Sequence, residues 1–407
     1  MQGRLEPLKV PGYRPLAGSY AINRVGDVLA LVALAVVVYD ETGSPWATTG
    51  MFLAMEFLPS LLAPALTARF DRLPVGRVLF VIYLIEAVTF GVLAWLTHSF
   101  SLPVVLVLLA IDGNLSVLAR ALTRGAMAGV LEPAGVLREG NALLNLVLAP
   151  AFAFGGALAG VIIVAFGADV ALIVDAVSFF GAALIASRVR GRVEQDAEDE
   201  PPEHWRERLR DALGYLRRHR YAQLLLTAQG VATIFFTLTI PIEVVYATQS
   251  LDAGNGGYGA FFACWGGGVV LGSVLYAVLQ RVPTAAIALG ATLLQGASFL
   301  GLAAAPEIVS ACFIAVAGGV ANGLEETALI TALQEAVSRE YQTRVMAVLE
   351  SATTATPSIG FLLGGGLAAA FSARTAFAVA GAGCLVVVAA VAAVRPWRFA
   401  VEPVASG

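Results

Sequence analysis

The chain has 407 residues, 58% hydrophobic and 13% charged, where soluble domains carry about 25% charged residues. Its mean hydropathy is +0.80. This composition excludes an ordinary water-soluble domain. The net charge of -4, with basic residues in loop-sized clusters, excludes a nucleic-acid-binding face. Lys9 is the only lysine, so a Walker A phosphate loop cannot form, and no HExxH or GxSxG string occurs.

Arg4, Lys9 and Arg14 precede the first apolar run, which carries Asn23, Arg24 and Asp27. A cleavable signal has a short, purely apolar centre, so this run is expected to stay as a first membrane span. A span needs about 20 apolar residues. Twelve stretches meet that length, at about 15–39, 46–68, 75–97, 102–123, 141–165, 168–188, 221–247, 257–280, 284–304, 306–333, 344–370 and 374–394.

Arginines fill every second gap and follow the last stretch, while the other gaps are acidic or neutral apart from Arg374. Basic loops stay cytoplasmic during insertion, so both termini are expected in the cytoplasm. Cys264, Cys312 and Cys384 lie far apart in apolar runs and read as small buried hydrophobes. The three histidines fall in a loop tip or the central loop, so no metal site is expected. No cofactor is expected either.

One long polar segment, 188–220, divides the chain. It turns acidic over Glu194–Glu200, breaks at Pro201-Pro202, and continues as an amphipathic helix with Trp205, Leu209, Ala212, Leu213 and Leu216 on one face. Such a helix is expected along the membrane surface. The expected organisation is a six-helix bundle over 1–187, a linker over 188–220, and a second six-helix bundle over 221–407. The halves read as copies. Val36-Val37-Val38-Tyr39 is answered by Glu243-Val244-Val245-Tyr246, and Gly50-Met51-Phe52-Leu53-Ala54 by Gly259-Ala260-Phe261-Phe262-Ala263. Two six-span repeats are an architecture of secondary transporters.

The gap after the second stretch reads Thr67-Ala68-Arg69-Phe70-Asp71-Arg72-Leu73-Pro74-Val75-Gly76-Arg77. It resembles the signature of the major facilitator superfamily in that loop, with Thr67 in place of a glycine. Leu131-Glu132-Pro133, Gly140-Asn141-Ala142-Leu143, Pro150 with Gly155-Gly156, and Arg344-Val345-Met346 resemble the drug:proton antiporter branch that holds macrolide-efflux and enterobactin-export proteins. The fifth-span motif departs from that branch, with Ala149 where a glycine usually precedes the proline. The resemblance implies a conformational latch in which Asp71, beside Arg72 and Arg77, pairs with Arg120 or Arg124. These arginines could instead serve only to set topology.

Ionisable groups at mid-bilayer cost about 2.5–3.5 kcal/mol each on insertion scales and usually work inside the protein. Asp27, Glu56 and Asp112 sit midway along their stretches and are the leading candidates for proton coupling, with Arg24 one helical turn before Asp27. A permanent pair with Arg24 would spoil Asp27 as a carrier. Glu56 could instead fill a polar niche, and Asp112 could make a packing contact with Asn114. Glu86 is a further candidate, and Asp175 reads more as structural. Asn23, Asn145, Asp175, Phe235, Phe236, Trp265, Asn322, Glu325 and Glu326 could line a cavity, although aromatic bulk commonly faces lipid. Glu325 and Glu326 are adjacent, so at most one points inward. Gly254-Asn255-Gly256-Gly257-Tyr258-Gly259 matches GxGxxG only formally, because no strand precedes it.

The expected fold is an all-α polytopic membrane protein with twelve transmembrane helices in two pseudo-symmetric six-helix bundles. The expected function is proton-coupled efflux of an amphipathic small molecule (a drug, a siderophore or a secondary metabolite) by alternating access. The rivals are proton-coupled uptake of a nutrient and a non-transporting receptor or enzyme. No enzymatic activity is expected. The expected partners are the cargo, protons and lipid, with no nucleic acid, in a monomer of the bacterial inner membrane.

Overall fold

The computed structural model describes residues 2–57, 59, 74–189, 210–211, 213–279 and 281–394, with some positions of the fifth and eleventh helices described by backbone alone. Among these residues there are twelve α-helices of eight residues or more and no strand. They are α1 (Tyr13–Thr42), α2 (Pro45–Phe52), α3 (Val75–Leu96), α4 (Leu102–Leu131), α5 (Leu137–Phe166), α6 (Ala168–Ala186), α7 (Arg220–Thr237), α8 (Gly254–Val278), α9 (Thr284–Ala304), α10 (Ile308–Ala336), α11 (Arg339–Ala370) and α12 (Ala373–Val394). Each coincides with one apolar stretch of the sequence. An all-helical answer is what lipid demands, because a spanning segment must satisfy its own backbone hydrogen bonds.

Nine described helical segments are long and apolar enough to cross a membrane. One of them runs from α7 through a short 3-10 turn and a π-turn to Ser250. The other three apolar stretches hold α2, α5 and α11. The described apolar parts of α5 and α11 are Phe154–Phe166 and Thr356–Ala370. α2 continues as a π-turn over Leu53–Phe57.

Helix ends follow local chemistry. Gly43 closes α1 at φ 60, its N–H bonded to the Tyr39 carbonyl. Pro45 opens α2 at a first-turn position, where a missing N–H costs nothing. Glu307 and Ser310 form a capping box on α10. Arg374, the basic exception in the charge pattern, donates to the carbonyls of Ala303 in the last turn of α9 and Ala305 just after it. It therefore closes a helix end. α4 extends to Leu131 and α5 starts at Leu137, both beyond the apolar limits of their stretches.

The chain folds as two compact units. The first holds Met1–Asp196 and Ala247–Gly266, and the second holds Ala197–Tyr246 and Gly267–Gly407. In the first unit α1 packs on α5 and α6, and α3 packs on α4 and α6. In the second, α7 packs on α11 and α12, and α9 on α10 and α12. The pairings are the same six helices apart, which makes the duplication structural. Within the first unit the start of α8 meets α5 at Gly259 and Gly160. A Cβ on Gly259 would lie 2.4 Å from the Gly160 Cα, so the approach requires glycine.

The amphipathic stretch before α7 is described only in part, and Trp205, Leu209 and Ala212 lie outside the described residues. Residues 213–218 are helical, with Leu213 exposed and Leu216 buried. Tyr215 and Leu216 join a buried apolar cluster with Leu333, Val337 and Val345. Tyr215 stacks on Tyr341 at 4.4 Å.

Candidate functional site

α3 shows how the first unit is turned. Val81, Val88 and Trp95 recur at two-turn spacing and are 47%, 61% and 67% exposed. Tyr83, Glu86 and Phe90 occupy the opposite face and are 0–1% exposed. Apolar bulk therefore faces outward and the carboxylate inward, the arrangement expected of a bundle in lipid.

Three residues of α1 form one group. The Asn23 side-chain amide donates to Asp27 Oδ1 at 3.2 Å, and the Arg24 guanidinium donates to Asp27 Oδ2 at 2.9 Å. Both Asp27 oxygens are thus engaged by residues one turn earlier on its own helix. Gly26, beside it, lets α6 approach. A Cβ there would lie 2.0 Å from Asp175 Oδ1. Asp175 is fully buried, accepts from Ser178 Oγ at 3.0 Å through Oδ1, and has no hydrogen-bond partner for Oδ2 among the described residues.

Gly113 does the same for α4. A Cβ there would lie 2.3 Å from the Met55 carbonyl oxygen, so α4 rests directly on the π-turn that carries Glu56. π-turns inside helices are frequent at functional sites. Asp112, next to Gly113, is 5% exposed, and its Oδ1 has no partner among the described residues. Asn114 does not supply one, because its amide donates to the Ala110 carbonyl at 2.7 Å. Glu86 is fully buried, and neither of its oxygens has a partner among the described residues.

These groups converge on Arg120. Its guanidinium donates to Ser116 Oγ at 2.7 Å. It lies within electrostatic range of Asp27, Glu56, Glu86 and Asp112. Glu86 and Asp175 each sense both Asp27 and Asp112. Glu56 is exposed, yet its charge lies within range of Arg24 and Arg120, so it stands on the arginine side of the π-turn. The first unit therefore gathers Asp27, Glu56, Glu86 and Asp112 around Arg120, with Arg24 beside Asp27 and Glu56, and sets Asp175 within range of Asp27 and Asp112.

The remaining candidates are dispersed. Arg77 and Arg124 are exposed. Asp71 and Arg72, on which the latch depends, lie outside the described residues, as does the side chain of Asn145. Phe235 lies against Gly383 of α12, where an added Cβ would meet its ring at 2.2 Å. Phe236 stacks with Phe299 at 6.4 Å. Trp265 and Asn322 are half-buried, Glu325 is buried, and Glu326 is exposed. Among the described residues no group of three or more His, Cys, Asp or Glu side chains could hold a metal ion.

Sequence reasoning ranked Glu86 below Asp27, yet the structure makes it the least satisfied acid of the cluster. The Val81, Val88 and Trp95 stripe was the available signal, since Glu86 falls opposite it. Ser116 and Ser178, which hold Arg120 and Asp175, were not singled out at all.

No curated protein matches the chain. Among solved structures, it is similar to the nucleoside transporter NupG (TM-score 0.73, 12% identity, covering 94% of this chain and 98% of that one). It is similar to a bacterial homologue of the iron transporter ferroportin in an inward-facing state (TM-score 0.71, 15% identity, 97% and 99%). It is also similar to the POT family transporter PepTSo (TM-score 0.72, 12% identity, 97% and 99%). At such identities the likeness is one of fold, and the fold is that of major facilitator transporters. The family model described as "transmembrane secretion effector" matches residues 2–403. With nearly its whole length matched, this chain belongs to the transmembrane secretion effector family and is a multi-pass membrane transporter of the major facilitator type.

Proposed function

We propose that the protein exports an amphipathic small molecule in exchange for protons, by alternating access, in the manner of the drug:proton antiporter branch. The observation that carries this reading is the charge imbalance in the first unit, where Arg24 and Arg120 stand against Asp27, Glu56, Glu86 and Asp112, with Asp175 within range of Asp27 and Asp112. Paired charges in a membrane protein can be structural, but unpaired buried ones are costly. Such a cluster is neutral only when it takes up protons, and proton uptake tied to conformation is the requirement of a coupled exchanger. Asp27, held by Asn23 and Arg24, serves as the fixed anion of the cluster. Glu86, Asp112 and Asp175, each with an oxygen that no described group satisfies, serve as the proton carriers.

The outward direction is supported by the secretion named in the family description. The moving lobes are taken as 1–187 and 221–407 joined by 188–220. Both termini are placed in the cytoplasm of a bacterial inner membrane on the strength of the arginine-rich gaps. Asp71, Arg72, Arg77, Arg120 and Arg124 remain the candidate latch.

Inside-out vesicles with amphipathic dyes supplied in the medium test the reading. Dye uptake should follow an imposed pH gradient and stop when a protonophore collapses it. Flux that ignores the gradient would sink the proton coupling, and uptake only in right-side-out vesicles would reverse the direction.

A further inference from the structure

The second unit holds a cavity that the proton reading does not use. It lies among α7, α9, α10 and α12 and has a volume of about 40 Å³. A buried water needs roughly 10–15 Å³ on this measure, so the space admits a few waters or one small ion. Leu225, Leu329 and Val391 make its walls apolar, and Glu325, Thr292 and Gln229 are its polar groups. Tyr221, in the first turn of α7, also lines it and marks the bundle end that carries Arg220. Thr292 lies eight residues into α9, roughly 12 Å deeper at 1.5 Å per residue.

Glu325 is 6% exposed, and the Thr292 side chain lies within hydrogen-bonding reach of its carboxylate. Among the described residues no arginine, lysine or histidine comes within 4.0 Å of it, whereas Asp27 of the first unit has Arg24 at 2.9 Å. A buried carboxylate that opens on a cavity without a basic partner is neutralised either by a proton or by a counter-charge from outside the chain, and the cavity gives room for the second. The neighbouring Glu326 is exposed and does not line the cavity.

We infer that this cavity is a binding site for a small monovalent cation, either an alkali ion or a protonated primary amine, with Glu325 supplying the charge and Thr292 and Gln229 the neutral oxygen acceptors. Divalent ions fit poorly. Calcium and magnesium call for six or more oxygen ligands or a retained water shell, and one carboxylate with two neutral groups in so small a space offers neither. The single carboxylate balances one positive charge, and the apolar walls accommodate the short alkyl stem of an amine.

The site is independent of the acid cluster, and the test keeps the two apart. The full chain in lipid nanodiscs, in choline buffer, is titrated calorimetrically with sodium chloride and with butylammonium chloride. At least one should bind saturably. Glu325→Gln should abolish that binding, Thr292→Ala should weaken it about tenfold, and Glu326→Gln and Asp112→Asn should leave it unchanged. Saturation by sodium alone identifies an inorganic ion, and saturation by butylammonium alone identifies an organic amine. The inference is overturned if neither saturates or if binding survives Glu325→Gln. Should Glu325→Gln fail to fold, equal affinities for Thr292→Ala and the unaltered chain overturn it.

Discussion

The interiors of the two units are built alike and charged differently. Glu86 of α3, Asp112 of α4 and Asp175 of α6 are buried acids. Gln295 stands 209 residues after Glu86, Asn322 stands 210 after Asp112, and Cys384 stands 209 after Asp175. These spacings match the 207 and 209 residues that separate Tyr39 from Tyr246 and Gly50 from Gly259. Each of these three acids thus answers to an uncharged residue of similar shape in the second. Phe90 and Phe299, also 209 apart, keep the same aromatic role in both. The scaffold does not need charge at these places, because the second unit packs without it. The acids in the first unit therefore call for a reason other than packing.

The largest expected effect on transport comes from erasing that difference. Glu86→Gln installs in the first unit what the second already has at Gln295. Gradient-driven dye transport should fall at least about a hundredfold, an effect worth roughly 2.7 kcal/mol, while size-exclusion and thermal unfolding profiles stay close to those of the unaltered chain. Full transport by this variant would show that Glu86 is as dispensable as its counterpart. The opposite exchange, Gln295→Glu, buries a carboxylate with no guanidinium like Arg120 to face it among the described residues. A buried charge without its partner costs about 3–5 kcal/mol, which should appear as a clear drop in unfolding temperature. An unchanged temperature would mean that the second interior is more hydrated than its burial suggests.

Gly26→Val tests the contact between α1 and α6. Its Cβ would collide with Asp175 Oδ1, so destabilisation of about 1–3 kcal/mol is expected from overpacking, together with loss of transport. Normal stability would place Asp175 away from α1. The smallest effect concerns the shared aromatic layer. Phe90 stacks on Phe179 at 5.3 Å, and Phe299 meets Phe377 at 6.0 Å. Phe90→Leu and Phe299→Leu should each cost about 0.5–1.5 kcal/mol of aromatic pairing. Near-equal losses would mark both as scaffold, whereas a transport defect confined to Phe90→Leu would tie that ring to the acids beside it.

The helices were legible in the sequence because insertion into lipid is governed by length, hydropathy and arginine placement, all of which are local. The intramembrane acids were legible for the same reason. Their states were not, since satisfaction depends on neighbours brought together by folding. Asp27 and Asp112 look alike in one dimension, but Asn23 and Arg24 occupy both oxygens of the first, while Asp112 retains an oxygen without a described partner. Glu325 and Glu326 were indistinguishable until helix α10 was packed and turned one toward a cavity. The π-turn under Glu56 left no mark in the sequence either, because its close contact with Gly113 is made across the bundle.

Whether the acids of the first unit hold exchangeable protons can be read directly by infrared difference spectroscopy of the lipid-embedded protein between acidic and alkaline buffer. A protonated-carboxyl band that titrates in the unaltered chain should shrink in Glu86→Gln, Asp112→Asn and Asp175→Asn and persist in Asp27→Asn. A band of the same size in all four variants, or no such band at all, would contradict proton storage in this cluster.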